Sequence, residues 1–216
     1  MGRVIAIDGP AGAGKSTVSL MLAKRLGFQL LDTGALYRAV GLYLRGLGVG
    51  HDVSDEELER VLGGAVVGFE NGKIVLNGGD VSAAIRTVEA GNDASVFSAR
   101  KPVRAHLLQL QRDAGSQNDI VAEGRDMTTV VFPHAWRKFY LDASETGRAA
   151  RRLRQMQEKG TPISSEDALR DIRERDIRDS GREIAPLRRA DDAVYIDSTE
   201  LTVEEVIGHI LEELAR

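Results

Sequence analysis

A glycine-rich segment near the beginning of the chain has the residue types and spacing needed to hold phosphate groups. Residues 9–16 read Gly-Pro-Ala-Gly-Ala-Gly-Lys-Ser and match the pattern G-x-x-x-x-G-K-[ST] in full. Glycines let successive backbone N–H groups turn inward to form a concave anion site, and the N-terminus of a following helix adds the positive end of its dipole. In such a P-loop Lys15 bridges the β- and γ-phosphates of a nucleotide, and the Ser16 hydroxyl ligates magnesium. The predicted ATP contacts are Gly9, Pro10, Ala11, Gly12, Ala13, Gly14, Lys15, Ser16 and Thr17.

A P-loop alone does not distinguish small kinases from GTPases or motor ATPases. The sequence contains no Asn-Lys-x-Asp guanine-reading motif and no obvious apolar strand that ends in Asp; the nearest run is Ile120-Val121-Ala122-Glu123. Residues 137–189 hold fourteen Lys or Arg against ten Asp or Glu. Kinases need cations on the transferring phosphoryl group and a mobile lid that excludes water. This combination favours a kinase, although a solvated, Arg-rich helix face would give the same local composition.

Alternating apolar segments predict the elements that would position this loop. Val4–Ile7 is a short β-branched run suited to a buried parallel strand, and a helix follows with Val18, Leu22 and Leu26 on one face before Gly27 ends it. Further strands are predicted at residues 28–31, 120–122, 138–141 and 194–196. Helices are predicted between them, and Thr202 and Glu205 form a capping box for a last helix. The expected fold is α/β, a five-stranded doubly wound parallel sheet.

The stretch between residues 35 and 105 has a different pattern. After a first helix at 35–44, Ser54 and Glu57 form a capping box, and residues 65–69 and 73–76 flank Asn71-Gly72, a strong hairpin signal. An antiparallel hairpin does not belong in a parallel sheet. We therefore expect an α+β subdomain at 35–105, inserted into a core of residues 1–34 and 106–216. An Arg-rich lid is expected within 148–182, broken at Gly160-Thr161-Pro162.

Composition limits the class of protein and the kinds of site. The 216 residues suit one large domain, and the absence of cysteine excludes disulfides, thiolate nucleophiles and Cys-ligated zinc. The net charge of −4 does not suggest a nucleic-acid partner. The beginning is too short and too soon charged for a signal peptide, and no apolar run suggests a membrane span. We expect a cytoplasmic protein, and a monomer, since no exposed apolar stripe demands a partner.

Several blocks of the sequence together resemble the bacterial cytidylate kinase family, over residues 4 to about 211 and in family order. The blocks are Ile7 to Ser16, Leu31-Asp32-Thr33-Gly34-Ala35-Leu36-Tyr37-Arg38, Glu123-Gly124-Arg125-Asp126-Met127, Glu174-Arg175-Asp176 through Asp179 to Arg182, and Ala185-Pro186-Leu187. The inserted hairpin is also a feature of this family. The resemblance implies a nucleoside monophosphate kinase that transfers a phosphoryl group from ATP, with Mg2+, to CMP or dCMP, giving CDP or dCDP and ADP.

The resemblance also implies roles for individual residues. Ser95, Arg104 and Asp126 would read the cytosine edge, and Arg38, Arg125 and Arg182 would hold the CMP phosphate. Arg175 and Asp179 would lie beside the ribose, with Arg175 also placed to help the transferring phosphoryl group, while Thr33 supplies a hydroxyl where family members often have serine. The implied catalytic set is Lys15, Arg125, Arg175 and Arg182. Some members have glycine where this chain has Ser16, so either Ser16 or Thr17 is expected to ligate magnesium.

Other residues and other functions leave alternatives open. Asp32 either orients a magnesium-bound water or caps the helix that begins near Ala35. Arg151 and Arg152 either line the lid and touch ATP, or they form a solvated stripe together with Arg148. The four histidines show no metal-ligand spacing and are expected to be structural or superficial. The rival functions are a small kinase with another acceptor, such as AMP, shikimate or dephospho-coenzyme A, and a non-catalytic nucleotide-binding regulator.

Overall fold

The first half of the core consists of two strand–helix units. The computed structural model describes residues 2–70, 72–158 and 160–216. Strand β1 (Val4–Asp8) leads through the glycine loop into helix α1 (Lys15–Leu26), and β2 (Gln29–Asp32) leads directly into α2 (Thr33–Gly46). Gly27 ends α1 in the left-handed conformation with φ 69°, as the sequence predicts.

The segment between the two halves of the core contains a small antiparallel sheet. Helix α3 (Asp55–Leu62), capped by Ser54, precedes strands β3 (Val67–Glu70), β4 (Lys73–Leu76) and β5 (Gly79–Asp80), and helix α4 (Val88–Phe97) follows. The β3–β4 hairpin agrees with the expected turn, of which Asn71 lies outside the described residues. Strand β5 and helix α4 have no clear sequence signal, and the 35–105 boundaries of the inserted subdomain stay a prediction.

The second half completes the sheet. It contains α5 (Lys101–Gln117), β6 (Ile120–Gly124), β7 (Arg137–Asp142), α6 (Glu145–Glu158), α7 (Ser165–Ser180), β8 (Val194–Asp197) and α8 (Val203–Leu214). Lys159, the expected end of the first Arg-rich helix, lies outside the described residues. Thr202 and Glu205 form the predicted capping box of α8. None of the described helices has the length and apolar character to cross a membrane.

Five parallel strands in the order β2-β6-β1-β7-β8 confirm the predicted fold class. The alternation of side chains along β1 divides the core between the two faces of the sheet. Val4 and Ala6 pack with Leu36, while Ile5 and Ile7 pack with Leu22, and both groups are almost fully buried. Helices cover both faces, so the strands can be continuously apolar and the polar groups concentrate at the strand ends.

Candidate active site

The carboxyl ends of three adjacent strands meet at one edge of the sheet and open into a cleft of about 890 Å³. In the strand register Asp8 is opposite Gly124, and Asp32 is opposite Glu123, so the loops after β1, β2 and β6 converge. Ligands bind at such edges in doubly wound sheets. The predicted site residues that line the cleft are Ala11, Gly12, Ala13, Gly14, Lys15, Ser16, Thr17, Asp32, Thr33, Arg38, Ser95, Arg104, Arg125, Asp126, Arg175, Asp179 and Arg182. Gly9 and Pro10 lie behind this surface and contribute their carbonyl groups.

The glycine loop passes close to neighbouring backbone and holds the lysine inside it. A Cβ atom on Gly9, which has φ 151°, would lie 1.9 Å from the Leu141 carbonyl oxygen, so only glycine fits there. The Lys15 ammonium group is buried and donates to the carbonyl oxygens of Gly9 at 2.7 Å and Pro10 at 2.8 Å. Burial, together with the nearby Arg125, lowers the pKa of Lys15 to about 7, against the pull of the neighbouring carboxylates. Lys15 is the first residue of α1, where a bound triphosphate would favour its charged form.

Two carboxylates flank the Ser16 end of the loop. Glu123 is buried, and its Oε1 atom has no hydrogen-bond partner among the described residues. Burial and the adjacent Asp32 raise the pKa of Glu123, whereas Lys15 and a hydrogen bond from Ser16 act in the opposite direction. Asp32 caps α2 by accepting from the Ala35 N–H at 2.9 Å. The capping role left open for Asp32 is therefore observed, and it leaves the carboxylate within the cleft.

Arginines converge on the middle of the cleft and are held there by carboxylates. Arg125 Nε donates to Asp179 at 2.7 Å, and Arg182 pairs with the other oxygen of the same carboxylate. Burial disfavours the ionised form of Asp179, but the positive charges of Arg125 and Arg182 outweigh it and lower the pKa of Asp179 below its ordinary value. Arg175 Nε donates to Asp171 at 2.9 Å, and the partly buried Arg38 lies beside Asp32. These contacts hold several guanidinium groups ready for a phosphate.

The far end of the cleft combines a buried ion pair with an unpaired hydroxyl. Arg104 pairs with Asp126, and both side chains are almost fully buried. Arg104 also donates to the Ser98 carbonyl oxygen at 3.1 Å. Burial raises the pKa of Asp126 to about 6, although Arg104 favours its ionised form. Ser95 Oγ is buried without a hydrogen-bond partner in the described part of the chain, as expected of a group that a ligand satisfies.

The predicted hydroxyl of Thr33 is engaged with the core. Thr33 Oγ1 donates to the Glu123 carbonyl oxygen at 2.7 Å, which ties the start of α2 to the end of β6. A Cβ atom on Gly124 would lie 2.8 Å from Thr33 Oγ1. The close approach of this hydroxyl to β6 therefore requires glycine at residue 124. The Thr33 hydroxyl therefore lies in the cleft as predicted, and its proton is directed to the Glu123 carbonyl oxygen of β6.

The three arginines of α6 do not form a solvated stripe. Arg148 is buried, pairs with Asp176 at 2.6 Å and donates to the Ala11 carbonyl oxygen at 3.2 Å. Arg151 Nη1 donates to the Ala13 carbonyl oxygen at 3.2 Å. Arg152 lines the cleft and pairs with Asp171. Two of the three thus hold the backbone of the glycine loop, which answers the question left open from the sequence.

Sequence reasoning missed four polar residues of this region. Asp8, at the end of β1, accepts hydrogen bonds from the chain after Asp126. Ser98 accepts from Arg182 at 2.9 Å, and Ser198 Oγ donates to the Ala13 carbonyl oxygen at 3.1 Å. Glu123 and Asp8 each end an apolar strand, which is the signal that could have identified them. Ser98 and Ser198 carry no local signal. In the described parts of the chain no three His, Asp or Glu side chains cluster to hold a metal ion by themselves.

Comparisons with known proteins agree on one family. The model of the cytidylate kinase family matches residues 5–216. A curated cytidylate kinase of Thermodesulfovibrio yellowstonii is 53% identical over 100% of this chain and 99% of its own length. The cytidylate kinase of Thermotoga maritima is 45% identical over 98% of this chain and 96% of its own length. Among solved structures, a shikimate kinase of Bacteroides thetaiotaomicron superimposes with a TM-score of 0.50 at 13% identity, covering 99% of each chain, which shows a shared fold.

Proposed function

The chain belongs to the cytidylate kinase family, and we propose that its cleft carries out the family's reaction with the residues described above. The enzyme is a nucleoside monophosphate kinase that transfers the γ-phosphoryl group of ATP to CMP or dCMP and releases ADP. One observation supports the assignment of residues most strongly. A single cleft joins the Lys15 loop, a central group of arginines and the buried Arg104–Asp126 pair. These three parts match a triphosphate, a transferring phosphoryl group and a base edge.

The donor and acceptor phosphates meet at the arginines. Lys15 and the loop amides hold the β- and γ-phosphates, while Arg38, Arg125 and Arg182 hold the phosphate of CMP. Arg175 lines the same cleft and would neutralise charge on the phosphoryl group during its transfer. The acceptor is already a phosphate oxyanion, so no general base is required. The rate enhancement comes from positioning the two phosphates and neutralising their charge. Arginine forks suit this task because they bind phosphate oxygens in pairs.

The base is chosen at the other end of the cleft. Cytosine presents an amine at position 4 and acceptors at N3 and O2. In the proposed arrangement Asp126 accepts from the amine, Arg104 donates to the acceptors and Ser95 supplies a further hydroxyl. Uracil reverses the pattern at positions 3 and 4, so it would place a carbonyl opposite the Asp126 carboxylate. Asp179 lies next to Arg182 and would contact the ribose.

The oxygen-rich corner of the loop fits a magnesium ion. Ser16 or Thr17 would supply the direct hydroxyl ligand, while Asp32 and the unpaired Oε1 of Glu123 would hold its water molecules. Mg2+ prefers hard oxygen ligands and commonly keeps several waters beside one or two carboxylates and substrate phosphates. When bound, the ion neutralises charge on the β- and γ-phosphates. We also propose a cytoplasmic enzyme, in keeping with its nucleotide substrates, that acts as a monomer without a nucleic-acid partner; the net charge of −4 supports the last point.

An acceptor panel tests the proposal directly. ADP release would be measured with ATP and Mg2+ and one acceptor at a time, namely CMP, dCMP, UMP, AMP or shikimate. We expect CMP and dCMP to give the highest kcat/KM, with UMP at least tenfold lower and the last two near background. Equal rates with AMP or shikimate would contradict the assignment of the base-reading pair. ADP release that does not depend on any acceptor would contradict the kinase mechanism.

A further inference from the structure

Asp8 is a fully buried carboxylate that the proposed mechanism does not use. It is the last residue of β1, immediately before the phosphate-binding loop. Its Oδ1 atom accepts from the Met127 N–H at 2.8 Å, and its Oδ2 atom accepts from the Thr128 N–H at 2.7 Å and from Thr128 Oγ1 at 2.6 Å. All three donors therefore belong to the two residues that follow Asp126.

These bonds fix a tight turn at the end of β6. Residues Met127–Val131 form a single π-helical turn, in which the Val131 N–H donates to the Asp126 carbonyl oxygen at 3.1 Å and the Phe132 N–H donates to the Met127 carbonyl oxygen at 2.8 Å. The first N–H groups of a helical turn have no partner inside it and need an external acceptor. Asp8 supplies that acceptor from a neighbouring strand, since in the register it lies opposite Gly124. The N–H groups of Met127 and Thr128 are thus held by β1, while the Asp126 carbonyl is held by the turn itself.

The position of this carboxylate has a consequence for acceptor binding. The residues directly before its donors are Arg125 and Asp126, to which we assigned the acceptor phosphate and the cytosine amine. We propose that Asp8 is a positioning residue that aims Arg125 and Asp126 at CMP and thereby sets the selectivity for cytosine. This inference rests on the proposed roles of those two residues. Asp8 also precedes Gly9 in the chain, so the same side chain joins the donor loop to the acceptor-reading residues.

A purely structural cap explains the observations less well. Burial raises the pKa of Asp8, which shows that keeping an ionised carboxylate here is unfavourable. Local serine, threonine or asparagine caps satisfy turn amides at the surface without burying a charge. Two acceptor oxygens in fixed geometry, by contrast, can hold two successive amides and a hydroxyl at once. Such a fixed carboxylate suits the turn at Met127–Val131, because the direction of this turn determines where Arg125 and Asp126 point.

The experiment uses two variants of different severity. Asp8→Asn keeps the shape but turns an amide NH2 toward one of the N–H donors, and Thr128→Val removes only the hydroxyl bond. We expect Asp8→Asn to raise KM for CMP at least tenfold and to reduce the CMP to UMP ratio of kcat/KM at least fivefold. The dissociation constant for ATP, measured by calorimetry, should change less than threefold. Thr128→Val should change the same quantities in the same direction by about twofold to threefold, and it decides alone if Asp8→Asn does not fold.

Two controls separate this inference from simpler explanations. Lys138→Met removes the ion pair between this buried lysine and the exposed Asp192, outside the cleft, and should lower the melting temperature without changing the CMP to UMP ratio. The positioning role is wrong if the Asp8 and Thr128 variants, like Lys138→Met, leave the CMP to UMP ratio unchanged. It is also wrong if they weaken the binding of ATP and CMP equally. Asp126→Asn tests the underlying assignment. If it too leaves the ratio unchanged, the base-reading proposal fails; if it alone changes the ratio, only the role of Asp8 fails.

Discussion

At the scale of single residues, the cleft holds its cations by pairing them with carboxylates. Arg104, Arg125, Arg175 and Arg182 each contact an Asp side chain. Arg125 and Arg175 make this bond through Nε, which turns their Nη groups toward other acceptors; Arg125 Nη1 also donates to the Gly124 carbonyl oxygen at 3.3 Å. Buried charges that are already paired need little reorganisation when a ligand arrives, which is the main requirement of electrostatic catalysis. The carboxylates therefore determine where the arginines act.

Lys15 is the residue whose loss should affect transfer most. Lys15→Met keeps the length of the side chain but removes the cation from the β- and γ-phosphates. We expect kcat to fall by two to three orders of magnitude, as for loss of a preorganised donor worth about 3–4 kcal/mol. Lys138→Met, a buried lysine outside the cleft, is the matched control and should keep kcat within twofold. If Lys15→Met retains more than a tenth of the normal kcat, the assigned role is wrong.

Asp126 should give the enzyme an acid limb in its pH profile for CMP. Its pKa is raised to about 6, so it is ionised above that pH and loses its charge as the pH falls through about 6. The second ionisation of a phosphate monoester also has a pKa of about 6. Below pH 6 we therefore expect a plot of log(kcat/KM) for CMP against pH to have a slope approaching two in the normal enzyme. In Asp126→Asn the slope should be near one. Identical slopes in the two enzymes would show that Asp126 does not need its charge.

The same Asn substitution should weaken selection of the base. An amide at residue 126 can donate to the uracil carbonyl, and a matched polar pair against a base edge is worth about 1–3 kcal/mol of discrimination. We expect kcat/KM for CMP to fall and the CMP to UMP ratio to shrink at least tenfold. If Asp126 only holds Arg104, kcat/KM should fall by the same factor for CMP and for UMP. An unchanged ratio with both rates lowered would therefore support the second interpretation.

At the scale of elements, the loop between β8 and α8 supports the phosphate-binding loop from outside it. Ser198 is buried, and its hydroxyl contacts the carbonyl oxygens of Ala13 at 3.1 Å and Asp142 at 2.9 Å. Arg151 of α6 reaches the same Ala13 oxygen and Ser198 itself. Two separate elements, the β8–α8 loop and α6, thus hold one peptide of the glycine loop. A hydroxyl proton can serve only one acceptor at a time, so the arginine shares the task.

Removing this support should affect ATP and not CMP. We expect Ser198→Ala to raise KM for ATP about threefold to tenfold while KM for CMP stays within twofold, since loss of one neutral hydrogen bond costs about 0.5–1.5 kcal/mol. Ser180→Ala is the control, because Ser180 bonds only its own helix at Asp176. Equal changes in both KM values, or none, would show that the β8–α8 loop does not support the ATP site.

Local signals in the sequence predict the elements that are locally encoded. The β-branched run of β1, the glycine spacing and the Thr202–Glu205 capping box each depend on neighbours a few residues away, and each appears in the structure. Helix α4 was missed because its apolar face packs against α2, a contact that no local pattern reveals. The search of the sequence for a carboxylate beside the P-loop looked for Asp, so it named Glu123 only as the end of the nearest run and assigned it no role. Only the strand register shows that Glu123 lies next to Asp32.

At the scale of the whole molecule, the Arg-rich helices bridge the donor and acceptor sides of the cleft. Arg148 joins the phosphate-binding loop to Asp176 of α7, and Asp179 of the same helix holds Arg125 after β6. Helix α7 is thus attached to the core at its C-terminal half. The predicted lid at 148–182 therefore has two anchored ends, near Arg148 and Asp179. The part expected to move is the stretch between residues 153 and 170, around Gly160-Thr161-Pro162, whose described residues are mostly exposed or half-buried apart from Met156 and Ala168.

Hydrogen exchange should detect closure of this stretch only when both substrates are present. In the proposed arrangement ATP contacts the loop that Arg148 and Arg151 hold, whereas CMP contacts Arg182, so one ligand satisfies the cations of one side only. We expect amides of residues 153–170 to exchange rapidly in the free enzyme and with either nucleotide alone. With CMP plus a non-hydrolysable ATP analogue, their exchange should slow at least tenfold, because a closed lid must exclude water from the phosphoryl group. Peptides from β1 and β6 serve as the internal control and should be protected in every state. Equal exchange at 153–170 in all four states would remove the lid from the mechanism, and full protection with ATP analogue alone would mean that CMP is not needed for closure.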